Sequence, residues 1–128
     1  MDLAKQPIWQ RAVLGILALI LLIFTAPAYI DTANNPGLAN LSGEVASLGS
    51  VAGAFLARQL GLVLIAIYGA VNGTRQAVML GAFGIGFFNL HDAVFLTLFG
   101  EGGIGAITGL IIGGIAMAVA VIAARQSS

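Results

Sequence analysis

Apolar residues come in four long blocks separated by short polar or glycine-rich breaks. Residues 12–30 form an uncharged run, and residues 49–71 form a second broken only by Arg58. Residues 77–99 form a third, which carries Asn89, His91 and Asp92, and residues 104–124 form a fourth with no charge. About 20 mainly apolar residues suffice for a helix to cross a bilayer, so each block has the length of a span. None alternates apolar and polar residues as strands of a membrane barrel do. The pattern predicts an all-α protein: one domain over residues 1–128, built as a bundle of four transmembrane helices.

The breaks set the connectivity. Residues 31–42 are polar, with Asn34-Asn35-Pro36-Gly37 as turn formers. Asn72-Gly73-Thr74-Arg75 is a tight turn, which makes the second and third helices antiparallel neighbours. We expect Gly73, in an exposed turn, to tolerate Ala better than Gly109 tolerates Leu. Gly100-Glu101-Gly102-Gly103 forms the last connection. Pro27 falls in the final turn of the first span and ends or kinks it. Lys5, Arg11 and the small residues Ala26-Pro27-Ala28 also suit a cleaved signal peptide, but a retained helix fits the long apolar run better.

Composition closes off other classes. Hydrophobic residues make up 59% of the 128, and charged residues only 8%, against about 25% in soluble domains. Five basic residues give no patch for nucleic acid. With no Cys, thiolate metal sites and disulfides are excluded, and no cofactor motif is present. Charge then orients the bundle. Lys5, Arg11, Arg75 and Arg125 share one side, while Asp31, Glu44 and Glu101 lie on the other. The positive-inside rule places both termini in the cytoplasm. Trp9 and Tyr68 then mark the inner interface and Tyr29 the outer. The Gly- and Ala-rich composition suits a bacterial inner membrane. Two N-glycosylation patterns, at Asn40 and Asn72, carry no weight.

Small residues let membrane helices approach closely. Gly105, Gly109 and Gly113 form such a stripe on the fourth span, as do Gly81, Gly84 and Gly86 on the third and Gly49, Gly53, Ala57 and Gly61 on the second. Packing within the bundle is one reading, and a homo-oligomer formed through the fourth helix is the other.

Arg58, Asn89 and Asp92 are the polar residues that need an explanation. A charge at mid-bilayer costs about 2.5–3.5 kcal/mol on insertion scales, so it must find a partner. Measured from Thr74 at helical rise, Arg58 lies about 24 Å outward, Asn89 about 22 Å and Asp92 about 27 Å. The three share one level, and Asn89 and Asp92, three residues apart, share a face. A buried Arg58–Asp92 ion pair with Asn89 as a further partner follows. The second helix would then turn Ala54, Arg58, Gly61, Ile65 and Tyr68 inward. Glu44 and His91 lie at the periphery, and one His alone makes a poor metal site. The cluster reads either as a staple fixing helix register or as a small polar pocket. Thr25, Thr97 and Thr108 read as hydroxyls bonded back to their own helices.

The arrangement resembles the DoxX-like group of small four-helix membrane proteins, including related uncharacterised families. The resemblance lies in the first span ending near Pro27, the stretch Ala57-Arg58-Gln59-Leu60-Gly61-Leu62, the turn Asn72-Gly73-Thr74-Arg75, and Asn89-Leu90-His91-Asp92. It implies a four-helix bundle; some relatives are associated with oxidoreductase or stress-response complexes, and others sharing the wider fold handle lipids or sterols. Three functions stay open: a non-enzymatic accessory subunit or binder of a lipid or small apolar ligand, an enzyme acting on an apolar lipid such as an isoprenoid through Asp92, and a small transporter or channel subunit.

Overall fold

A computed structural model describes residues 5–33, 48, 49, 51–99 and 103–126. It consists of four α-helices: α1 (Ile8–Ile30), α2 (Val51–Asn72), α3 (Arg75–Phe99) and α4 (Ile104–Arg125). All four are long and apolar enough to cross a membrane. The first span starts earlier than its uncharged run, because Pro7 sets the entry to α1 and Trp9, Gln10 and Arg11 join its first turn. Pro27 stays within the helix near its end.

The tight turn between α2 and α3 follows from its residue types. Gly73 adopts φ +76°, and its N–H donates to the Gly69 carbonyl at 2.8 Å, which closes α2 with a left-handed residue. Thr74 then opens α3: its hydroxyl accepts the Ala77 N–H at 3.4 Å, and its own N–H donates to Asn72 Oδ1 at 3.2 Å. Gly73 is buried, not exposed, and its carbonyl accepts the Gln6 N–H at 2.7 Å.

The basic residues cap helix ends. Arg11 donates through Nε to the Ala70 carbonyl at 3.0 Å and through Nη2 to the Val71 carbonyl at 2.9 Å. Lys5 donates to the Asn72 carbonyl. Arg75 does the same for α4, reaching the Ala123 carbonyl at 3.1 Å and the Ala124 carbonyl at 2.5 Å. These are the carbonyls left without partners at a helix C-terminus, where the macrodipole also favours cations. Gln10 Nε2 donates to Gln126 Oε1 at 2.8 Å, so the start of α1 and the residue following α4 meet at this end of the bundle.

The core is built from small and medium side chains: Leu14, Ala18 and Leu21 of α1, Val63 and Ala66 of α2, Val78, Ala82 and Ile85 of α3, and Ile112, Ala116 and Ala123 of α4. The outer surface carries the bulk, including Ile16, Ile23, Leu64, Phe83, Phe87, Ile107 and Ile111. Small residues inside and large apolar ones outside is the arrangement a lipid-facing bundle calls for.

The α4 glycines work within the chain. A Cβ at Gly109 would stand 2.8 Å from the Asn89 carbonyl oxygen, and one at Gly113 would stand 2.9 Å from the Leu90 nitrogen. Gly86 answers from α3, 3.1 Å from the Met117 nitrogen. Gly105 is different, since its Cβ would meet only the Leu96 side chain at 3.9 Å. The α2 stripe is not a helix seam: Ala57 and Gly61 are exposed, and nothing lies within 4 Å of a Cβ at Gly61. The close approach of α2 to α3 runs instead through Gly81, whose Cβ would stand 2.8 Å from Ala66 Cα, and through Gly69 beside the Ala77 backbone.

Candidate ligand cavity

At the end of the bundle away from the α1 start and the α4 end, the four helices line a half-open cavity of about 510 Å³. Each helix contributes to its wall. Leu21, Phe24, Thr25 and Ala28 come from α1, and Phe55, Leu56 and Gln59 from α2. Phe88, Asn89, Asp92 and Leu96 come from α3, and Gly105, Thr108, Gly109 and Ile112 are among those from α4. Gly109 lets α4 lie against α3 at the cavity's inner end, while Gly105, nearer the start of α4, leaves room for it to widen.

Five polar side chains, Thr25, Gln59, Asn89, Asp92 and Thr108, with each helix contributing at least one, stand among the described residues of the wall. Gln59 Nε2 donates to Thr25 Oγ1 at 2.6 Å, which joins α2 to α1 across the cavity wall. The Thr25 hydroxyl in turn donates to the Leu21 carbonyl at 2.7 Å. Asn89 is 8% exposed, and its Nδ2 donates to the Ile85 carbonyl at 2.7 Å. Asp92 Oδ1 lies 3.3 Å from His91 Nδ1, with its side chain 38% exposed. The Thr97 and Thr108 hydroxyls donate to carbonyls one turn back, at 2.8 and 2.7 Å, as expected of helix threonines.

The expected Arg58–Asp92–Asn89 cluster does not form. Asn89 and Asp92 do share the cavity wall, but Arg58 is exposed and is not part of it. Among the described residues no hydrogen bond or ion pair joins Arg58 to either. The depths agree but the azimuth does not. Leu56, Val63 and Ala66 mark the buried side of α2, and Gln59 continues that row at helical spacing. Arg58 precedes Gln59 by one residue, about 100° around the helix. The row Ala54, Arg58, Gly61, Ile65 and Tyr68 is accordingly the outward face of α2.

His91 sits outside the cavity on a ladder of rings along the exposed face of α3. Successive centroids from Phe83 to Phe87, His91 and Phe95 are 5.8, 6.1 and 4.6 Å apart. Glu44 lies outside the described residues. Gln59 and Thr25 are the site residues that polarity at depth did not single out. The signal for them was phase: Thr25 falls in the row Leu14, Ala18, Leu21, Ala28, as Gln59 does with Leu56, Val63 and Ala66.

No family model, no curated protein and no solved structure matches the chain.

Proposed function

We propose that this chain is an integral membrane protein, with both termini on the cytoplasmic side of a bacterial inner membrane, that binds a small, largely apolar molecule or lipid between its four helices. The observation that carries the reading is the cavity itself. Its volume of about 510 Å³ falls within the roughly 300–1,000 Å³ of ligand pockets, and its wall is mostly apolar with a few convergent polar groups. Gln59, Asn89 and Asp92 are the groups that would orient a ligand. The clustering of Lys5, Arg11 and Arg75 at the end holding the termini supports the orientation. The DoxX-like resemblance, some of whose wider relatives handle lipids, is consistent with the ligand class.

Native mass spectrometry of the full chain released from its membrane tests the reading, with Gly105→Leu as the filled-cavity control. A Cβ at position 105 meets no backbone, so a leucine there occupies the cavity without pushing helices apart. Retention of a small molecule or lipid by the native chain, and its loss from a Gly105→Leu chain of unchanged melting temperature, is the expected result. Equal retention by both would remove the cavity as the site.

A further inference from the structure

The binding reading leaves the ligand's charge open, and the cavity wall speaks to it. Asp92 is the one charged side chain among the described residues lining it. The chain's own cations lie elsewhere: Lys5, Arg11 and Arg75 bind helix-end carbonyls at the far end, Arg125 is in the last turn of α4, and Arg58 is outside the wall. His91 meets Asp92 at one carboxylate oxygen, Oδ1, from the outer face of α3. The two amides add to the same polarity. Gln59 and Asn89 each spend an N–H on the protein, at 2.6 and 2.7 Å, and among the described residues the oxygen of each amide has no donor. Phe24, Phe55 and Phe88 complete the lining, and the face of a phenyl ring attracts a cation.

Resting on the binding reading, we propose that the cavity is a site for an apolar organic cation, an ammonium- or phosphonium-type centre carrying hydrophobic groups. The cationic centre lies toward Asp92 and the amide oxygens, and its substituents pack against the phenyl and aliphatic wall. A neutral ligand of the same shape leaves the half-exposed carboxylate with no counter-charge beyond the His91 contact at Oδ1, and an anion is repelled by it. Discrimination by charge at constant shape is therefore the signature of this site.

Three probes of one shape separate this proposal from simple hydrophobic binding: tetraphenylphosphonium, neutral tetraphenylsilane and anionic tetraphenylborate. Saturable binding to the full chain in nanodiscs of zwitterionic lipid is measured against empty nanodiscs. The phosphonium is expected to bind at least tenfold more tightly than the silane, and the borate to show no saturable component. Asp92→Asn should erase the preference for the cation by weakening phosphonium binding toward that of the silane, and Asp92→Glu should retain the preference. Silane binding as tight as phosphonium binding overturns the cation assignment and leaves the apolar cavity standing. Absence of saturable binding by all three overturns both. The comparison of probes on the unsubstituted chain decides the question even where a variant fails to fold.

Discussion

Gln59 donates a 2.6 Å hydrogen bond to Thr25 across the α1–α2 boundary, and it does so at the depth where an Arg58–Asp92 ion pair was expected. One neutral contact thus joins the two helices, while the arginine next to it in sequence faces outward. The site is held by helix phase, not by pairing of opposite charges.

This contact has a measurable worth. Thr25→Val leaves the half-buried Gln59 amide without its acceptor and should cost about 0.5–1.5 kcal/mol, the range for a typical hydrogen bond. Thr25→Val combined with Gln59→Leu removes both partners and should recover much of that loss. Reversible unfolding in mixed micelles measures all three proteins. A double variant as unstable as the sum of its singles would show that the two side chains are not coupled.

Arg58 should matter little to stability. Because it is exposed and unpaired among the described residues, Arg58→Leu is expected to change the unfolding free energy by no more than about 0.5 kcal/mol. A double-mutant cycle with Asp92→Leu should give a coupling energy near zero. Loss of about 3–5 kcal/mol from either single change, recovered in the double, would restore the buried ion pair.

The glycines of α4 should separate by position. Gly109→Ala places a Cβ 2.8 Å from a backbone carbonyl oxygen, a contact relieved only by moving α3 from α4, and should cost about 1–3 kcal/mol. Gly105→Ala meets only the Leu96 side chain at 3.9 Å and should be neutral within about 0.5 kcal/mol. Thermal melting in detergent orders the two.

Gly73 should be among the least tolerant positions, contrary to its appearance as a simple turn residue. Its φ of +76° disfavours any side chain by about 1–2 kcal/mol, and a Cβ there would also meet Arg11 Nε at 2.6 Å. Gly73→Ala should therefore melt well below Gly114→Ala, where nothing lies within 4 Å. Equal melting temperatures would place Gly73 in a different backbone conformation.

Span number, the α2–α3 turn and the gathering of basic residues at one end were legible because hydropathy and turn chemistry are local properties. Residues 72–74 carry their own capping instructions, and Arg11 and Arg75 lie within reach of the helix ends they cap. That Asn89 and Asp92 line one wall was legible because two polar groups three apart on an apolar helix share a face. The azimuth of α2 was not. A membrane helix is apolar all round, so polarity does not mark the buried side, and Arg58 drew the reading to the wrong face. Side-chain size carries that information instead: Val63 and Ala66 turn inward while Leu64, Ile65 and Tyr68 turn out. The α4 glycine row misled more mildly, since Gly109 and Gly113 are seam residues and Gly105 belongs to the cavity wall.

Ligand binding between the helices requires an accessible cavity at the end of the bundle away from Lys5 and Gln126. The chain has no cysteine, so a single introduced one reports that access without background. Thr108→Cys sits on the cavity wall, and Ala116→Cys, two turns further along α4, sits in the core at 0% exposure. The measurement is the rate of modification of each thiol by a small cationic methanethiosulfonate in nanodiscs. The expected result is that Thr108→Cys reacts at least tenfold faster than Ala116→Cys and is slowed when Gly105→Leu fills the cavity. Thr108→Cys as inert as Ala116→Cys would contradict an open cavity and the ligand site built on it.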